Sequence, residues 1–176
     1  MIILVDIHIS IENCTLKNKY FRENGIELRH ADLHNISDYA VFSDGSIGIL
    51  SRRNIQELIS DIKGKSRRKF ESACAGAKEQ GVQLVVLVEN KVKVSDENTK
   101  GGIVVVKSFE DLCLWENPRL LLNKAGKLKY PTAMGGKDIA DWCYEMQERY
   151  GVRFEFCTPE EAGERIVGLL GGKIKR

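Results

Sequence analysis

The fold class is decided by one stretch of sequence, Gln83-Leu84-Val85-Val86-Leu87-Val88-Glu89. Its five central residues are all aliphatic and do not alternate with polar residues, so a strand built from them must be covered on both faces. Such a strand is typical of the middle of a sheet that has helices on each side. The stretch therefore predicts a central strand, and its place among alternating helices and strands predicts an α/β protein with a mixed central sheet flanked by helices.

Shorter patterns on either side of this strand supply the other elements. We predict strands over Ile2–Asp6, Ile26–Arg29, Tyr39–Phe42, Ile47–Leu50, Ile103–Val106 and Val152–Cys157. We predict helices over Ser10–Arg22, Asn54–Ile62, Ser66–Gln80 and Lys137–Tyr150, and one that ends near Leu170. The last helix follows the capping box Thr158-Pro159-Glu160-Glu161. Ser43–Ser46 predicts a hairpin turn, and Lys91–Gly102 and Leu120–Gly136 predict surface loops.

The size and composition of the chain exclude several classes of protein. Its 176 residues predict a single domain over residues 1–176, and 43% hydrophobic with 30% charged residues excludes a disordered chain. The five cysteines include no closely spaced pair, which predicts reduced, mostly buried thiols rather than a zinc site. The beginning of the sequence lacks the pattern of a signal peptide or a membrane helix. We therefore expect a cytoplasmic protein with no membrane partner.

Positive charge is concentrated in one part of the sequence. The whole chain carries a net charge of only +2, but the segment from Arg52 to Lys69 has seven cations and two acids, a net +5. The cations are Arg52, Arg53, Lys63, Lys65, Arg67, Arg68 and Lys69. We predict that this basic segment binds DNA phosphates, although a solvated loop would have the same composition. Lys124, Lys127 and Lys129 form either a second basic strip or part of a flexible loop.

Carboxylates at the ends of neighbouring strands could form a metal-dependent site. Asp38 begins a predicted strand, and the next strand ends in a cluster of charged residues at Arg52 and Arg53. Magnesium prefers carboxylate oxygens, and such a site can cleave phosphodiesters. Glu89, at the end of the central strand, could support it. We therefore take Asp38 with Arg52 and Arg53 as candidate site residues.

Seven short motifs occur in an order that resembles a known family. They are Val5-Asp6, Ser37-Asp38-Tyr39, Asn54-Ile55-Gln56-Glu57-Leu58, Lys69-Phe70-Glu71, Leu87-Val88-Glu89, Trp115-Glu116-Asn117-Pro118-Arg119 and Tyr150-Gly151-Val152-Arg153-Phe154-Glu155-Phe156-Cys157. Together they resemble the XPF-type nuclease domain, a branch of the restriction-endonuclease-like PD-(D/E)XK fold. They are most similar to its short, free-standing versions in phages and prophages. The resemblance implies a restriction-endonuclease-like fold, DNA as partner, Mg²⁺ or Mn²⁺ as cofactor if the protein is active, and a bacterial host cytoplasm.

The sequence departs from this family at the positions that the resemblance makes catalytic. Asp38 matches the first acid. In one register the second acid falls on Leu50 and the lysine on Arg52, whereas in the other they fall on Ser51 and Arg53, with Glu57 as the last acid. Both registers lack the second carboxylate and have arginine in place of lysine. Arginine holds phosphate but stays charged, so it cannot transfer a proton as lysine can.

Three functional hypotheses follow from these departures. The first is a DNA-binding protein from a phage or mobile element whose cleavage activity is impaired. The second is an active, metal-dependent, structure-specific DNA endonuclease in which Glu57 or Asp6 joins Asp38 at the metal. The third is an anti-CRISPR-like inhibitor that reuses the nuclease scaffold and binds a bacterial defence protein. The sequence does not predict the oligomeric state.

Overall fold

Six strands and six helices make up the computed structural model, which describes residues 1–9, 15–41, 46–90 and 105–172. The strands are β1 (Ile2–Asp6), β2 (Glu27–Ala31), β3 (Tyr39–Val41), β4 (Ile47–Arg52), β5 (Gln83–Glu89) and β6 (Arg153–Cys157). The helices are α1 (Thr15–Glu23), α2 (Ile55–Lys63), α3 (Arg67–Glu79), α4 (Phe109–Leu114), α5 (Gly136–Tyr150) and α6 (Ala162–Leu169).

All six strands belong to one mixed sheet. Their order is β2-β1-β3-β4-β5-β6. The pairs β1–β2, β4–β5 and β5–β6 are parallel, whereas β3 runs antiparallel to both β1 and β4. The mixed sheet predicted from the sequence is therefore confirmed. The antiparallel pairing of β3 with β4 also agrees with the predicted hairpin, whose turn residues 42–45 lie outside the described residues.

Strand β5 is buried on both faces, as its unbroken aliphatic run predicts. Leu84, Val86 and Val88 point into a core formed with α2, α3, α4 and α5. Val85 and Leu87 point into a second core formed with α1 and α6. The sheet therefore has two sides, called here the α2–α5 side and the α1–α6 side.

Local capping interactions fix where several helices begin and end. Asn54 accepts a hydrogen bond from the Glu57 backbone N–H at the start of α2. Before α6, Thr158 Oγ1 accepts from the Glu161 N–H over 3.3 Å and Glu161 Oε2 accepts from the Thr158 N–H over 3.0 Å. The capping box read from the sequence is therefore formed. Gly151 ends α5 in the left-handed conformation, with φ of 71°.

The structure corrects the sequence-based elements at a few places. Val105 and Val106 are not in a strand, so the strand predicted over Ile103–Val106 is wrong in its described half. Helix α4 was not predicted; the side chain of Ser108 caps it by accepting from the Asp111 N–H over 3.1 Å. The Ser10 start of the first helix and the Lys91–Gly102 loop lie outside the described residues.

Other predictions agree with the structure. Most of the predicted loop from Leu120 to Gly136 is exposed, and its regular pairing is limited to a single bridge between Leu122 and Leu128. Cys74, Cys143 and Cys157 are buried free thiols, as expected, whereas Cys113 is an exposed one. No helix in the described part of the chain has the length and apolar character needed to cross a membrane.

Candidate functional site

The end of strand β4 separates three neighbouring residues onto the two sides of the sheet. Leu50 packs into the core on the α2–α5 side, and Arg52 reaches Asp61 of α2 on the same side. Ser51 points to the α1–α6 side, where it bonds to Lys17 and Glu89. This alternation follows from the two-residue period of a strand.

A cavity of about 350 Å³ opens on the α2–α5 side of this strand end. It lies between the sheet and helices α2 and α3. The charged and apolar residues that line it include Asp6, Asp38, Leu50, Arg52, Glu57, Asp61, Lys69 and Phe70. Asp38, Arg52, Glu57 and Asp6, four of the candidate site residues from the sequence, are therefore brought together in one cavity.

The alternation of β4 decides which of its last residues share the cavity with Asp38. An acid and a lysine that act together with Asp38 must share its side of the sheet, as two residues at positions i and i+2 of a strand do. Leu50 and Arg52 both line the cavity beside Asp38, whereas Ser51 faces away. Leu50 and Arg52 are therefore the two β4 residues that share the cavity with Asp38.

Asp38 is held at the edge of the cavity by the backbone of β4. Its Oδ2 accepts a hydrogen bond of 2.6 Å from the Ser51 N–H, and Arg52 Nη1 lies 3.7 Å from the same oxygen. Burial raises the pKa of Asp38 above its usual value, and the guanidinium of Arg52 and the Ser51 N–H only partly offset this effect.

Arg52 lies between two carboxylates. Its Nε donates to Asp61 Oδ2 over 2.5 Å and its Nη1 donates to the Ser51 carbonyl over 3.0 Å. The guanidinium also stands 5.8 Å from the centre of the Phe70 ring, a distance typical of a cation–π contact. Arg52 is thus a fixed positive charge inside the cavity, with the Asp38 carboxylate on its other side.

Asp61 is the residue of this cluster that the sequence analysis missed. Its side chain is only 3% exposed, and burial raises its pKa, an effect that the Arg52 guanidinium partly offsets. The sequence carries a signal for it, because Asp61 follows Leu58 by three positions and so lies on the apolar face of α2. A charged residue on such a face needs a buried partner.

Glu57 and Arg53 form a pair of their own at the start of α2. Glu57 Oε1 accepts from Arg53 Nε over 2.7 Å, and Glu57 Oε2 accepts from the Arg53 backbone N–H over 2.8 Å. Both carboxylate oxygens of Glu57 therefore accept hydrogen bonds from Arg53, four residues earlier in the chain. Arg53 is exposed at the rim rather than inside the cavity.

Asp6 lines the cavity, but its carboxylate organises the loop after β1. Its Oδ1 accepts from the backbone N–H of His8 over 2.9 Å and lies 2.8 Å from His8 Nδ1, and its Oδ2 accepts from the Leu33 N–H over 3.0 Å. Burial alone would raise the pKa of Asp6, but these hydrogen bonds outweigh it and lower the pKa.

The donor set of the cavity does not fit a divalent cation. Magnesium requires several oxygen ligands in near-octahedral geometry, whereas Leu50 offers none and the oxygens of Asp6 already accept hydrogen bonds. The guanidinium of Arg52 places a positive charge next to Asp38, where the metal would have to bind. Within the described residues, no group of three or more His, Cys, Asp or Glu side chains is arranged to hold a metal ion.

The basic segment borders this cavity. It runs along α2 and into the start of α3, and Lys69 lines the cavity itself. Arg67 pairs with Glu71 over 3.0 Å. Lys63, Lys65, Arg68 and Lys69 are exposed and form no ion pair with the described part of the chain.

A buried ion pair supports the strand end from the α1–α6 side. Lys17 of α1 forms an ion pair with Glu89, and both side chains are nearly inaccessible to solvent. Ser51 Oγ lies 3.1 Å from Lys17 Nζ and 3.1 Å from Glu89 Oε1, so one serine joins β4 to this pair. Glu89, which the sequence suggested as a supporting acid, therefore lies behind the strand and not in the cavity.

Solved structures with the same fold were found by comparison of the whole chain. XPF from Aeropyrum pernix superposes with a TM-score of 0.57 at 12% sequence identity, over 96% of this chain and 64% of that one. The same protein in complex with DNA gives a TM-score of 0.54 at 12% identity, over 96% and 62% of the two chains. The chain has an XPF-like fold.

The comparison that finds the XPF-like fold is one of structures, because the comparisons of sequence found no match. No family model and no curated protein sequence matches the chain. The chain spans somewhat less than two thirds of the length of the XPF structures. The fold expected from the ordered motifs is thus confirmed over nearly the whole chain.

Proposed function

We propose that this protein binds DNA through its XPF-like fold and is impaired in DNA cleavage. We further propose that it comes from a phage or mobile element and acts in the cytoplasm of a bacterial host. The observation that carries the proposal is the identity of the two β4 side chains that face the cavity. These are Leu50 and Arg52, which lie beside Asp38. In the family pattern these two positions belong to an acid and a lysine.

The loss of cleavage follows from the chemistry of these two side chains. Leu50 has no oxygen with which to bind a metal ion, so Asp38 lacks the second carboxylate that would fix one. Arg52 is charged at every accessible pH and is tied to Asp61, so it cannot serve as a proton-transferring group. The cavity therefore lacks the groups that activate water, and the cations that can attract phosphate are those of the basic segment at its border.

The distribution of positive charge supports DNA binding. Lys69 lines the cavity, and Lys63, Lys65 and Arg68 are exposed in the same segment. Among the described residues none of these four cations forms an ion pair, so each can contact a phosphate without first breaking one there. The solved complex of XPF from Aeropyrum pernix with DNA adds support from a protein of the same fold.

The active-nuclease alternative receives less support from the geometry. It requires Glu57 or Asp6 to join Asp38 at a metal ion. Glu57 is bound to Arg53 through both of its oxygens, and Asp6 is bound to His8 and Leu33. Each carboxylate would have to give up these hydrogen bonds to reach a shared metal.

A binding experiment tests the proposal directly. We expect the protein to bind labelled duplex and branched DNA in fluorescence anisotropy with EDTA present, with an affinity that falls steeply as salt is raised. The R67A/R68A/K69A variant should bind more weakly and show a smaller salt dependence. The matched control is K19A/R22A/R165A, which removes three exposed cations from the α1–α6 side.

Two results would overturn the DNA-binding proposal. One is an affinity that does not respond to salt. The other is equal binding by the wild type and the R67A/R68A/K69A variant. If DNA binding is absent altogether, co-purification with a bacterial defence protein would instead support the inhibitor hypothesis.

A further inference from the structure

The loop between α4 and α5 has a defined structure held by hydrogen bonds. It is called here the basic loop and comprises residues 117–134. Asn117 is buried at its base, where its Nδ2 donates to the Met134 carbonyl over 2.9 Å and its Oδ1 accepts from the Arg119 N–H over 2.9 Å. One side chain thereby holds the two ends of the loop together.

The middle of the basic loop forms a short hairpin. Leu122 and Leu128 face each other in an antiparallel bridge. The Asn123 N–H donates to the Lys127 carbonyl over 2.7 Å, and the Lys129 N–H donates to the Leu121 carbonyl over 2.7 Å. Gly126 occupies the left-handed region with φ of 71°, which allows the tight turn at the tip. The tip therefore has a defined conformation.

The hairpin presents an unusual combination of side chains to solvent. Leu122 is 66% exposed, and Leu120, Leu121 and Leu128 are exposed beside it. Four cations accompany them, and the whole loop contains no acidic residue, so it carries a net +4. The cations are Arg119, Lys124, Lys127 and Lys129. A monomeric protein seldom exposes such a group of leucines unless they contact a partner.

The basic loop starts next to the candidate site. Gln56 Nε2 of α2 donates to Asn117 Oδ1 over 3.0 Å, one residue along α2 from Glu57, which lines the cavity. The basic segment carries +5, the basic loop +4, and the whole chain only +2, so the remainder carries −7. The two positively charged stretches thus meet at the Gln56–Asn117 contact, while the rest of the chain is acidic.

We propose that the basic loop is a second DNA-contacting element, which extends the basic segment across the Gln56–Asn117 contact. This inference rests on the proposed function, because it takes DNA as the partner. Lys124, Lys127 and Lys129 contact backbone phosphates. Leu122 and Leu128 provide an apolar pair that packs against sugars and bases, as exposed apolar side chains do in minor-groove proteins.

Two variants separate the charged and the apolar parts of this interaction. K124A/K127A/K129A should lower the slope of log affinity against log salt by roughly 2 to 3, about 0.9 for each phosphate that the variant no longer neutralises. It should weaken binding about tenfold at moderate salt. L122S/L128S should weaken binding by several-fold while leaving the salt slope unchanged, because it removes no charge. All these side chains are exposed, so both variants should keep the Tm of the wild type.

The controls distinguish failure of this inference from failure of DNA binding itself. K19A/R22A/R165A should bind DNA as the wild type does. If the R67A/R68A/K69A variant loses affinity while both loop variants bind like the wild type, the loop inference is wrong and the proposed function stands. If the wild type does not bind DNA, both are wrong. The loop inference is also overturned if the loop variants lose binding only to phosphatidylglycerol vesicles and not to DNA.

Discussion

Arg52 donates from Nε to Oδ2 of Asp61 over 2.5 Å, and this contact fixes a guanidinium in the cavity beside Asp38. The pair joins the end of a strand to the last turn of α2, nine residues later in the chain. A side chain thus supplies a positive charge between two carboxylates, the arrangement in which a metal-dependent nuclease would hold its cation. Arg52 is thus the counter-ion of the buried Asp61 carboxylate at this cavity.

Removing Arg52 should destabilise the protein in a pH-dependent way. Arg52→Ala leaves Asp61 buried without a counter-ion, and breaking such a pair costs about 3–5 kcal/mol at neutral pH. Burial already raises the pKa of Asp61, and loss of Arg52 raises it further. As pH falls below this raised pKa, folded Asp61 takes up a proton and the penalty shrinks, vanishing only below the ordinary pKa that aspartate has in the unfolded chain. Urea unfolding at pH 5 and pH 8 measures the difference.

Arg53→Ala is the control for this experiment. The ion pair of Arg53 with Glu57 is solvent-exposed, and such pairs contribute about 1 kcal/mol or less. An Arg52→Ala variant that is destabilised equally at both pH values would show that charge burial at Asp61 is not the cause.

Replacing both residues of the buried Lys17–Glu89 pair should lower the free energy of unfolding less than replacing only one of them. Lys17→Met leaves Glu89 charged and buried, at a cost of about 3–5 kcal/mol. The double variant K17M/E89L removes both charges and should be more stable than either single variant. A double-mutant cycle by urea unfolding gives the coupling energy. Additive losses for K17M and E89L would contradict the buried pair.

Placing an aspartate at position 50 and a lysine at position 52, as in the family pattern, should create a metal site. L50D/R52K places a carboxylate and a lysine beside Asp38, so we expect this variant to bind Mn²⁺ in calorimetric titration where the wild type does not. L50N/R52K is the matched control, since it has a similar shape but lacks the added charge. The Tm of each variant should be measured, because Leu50 contributes to the core. Equal Mn²⁺ binding by L50D/R52K and the wild type would contradict the proposed role of Leu50.

The sequence predicted the parts of the fold that depend on local pattern. The aliphatic run of β5 predicts a strand covered on both faces. The capping box before α6 depends only on neighbouring residues. Helix α4 has only six residues, fewer than two turns, so it is too short to show a period and was missed.

The candidate site was predictable only in part, because its geometry depends on contacts between distant residues. Asp38 was found, but β4 was predicted to end at Leu50. Pairing with β5 extends it to Arg52, where Arg52 lies opposite Val88. That extension decides that Ser51 and Arg52 face opposite sides of the sheet. Asp61 was overlooked because its partner lies on another element.

The most direct test of impaired DNA cleavage is an assay of nuclease activity with the wild-type protein. The protein is incubated with labelled duplex and branched DNA in Mg²⁺ or Mn²⁺, and the products are resolved on a denaturing gel beside those of the Asp38→Ala variant. We expect both proteins to bind the DNA without cutting it, so that their products on the gel are the same. Cleavage by the wild type that Asp38→Ala abolishes would contradict this expectation.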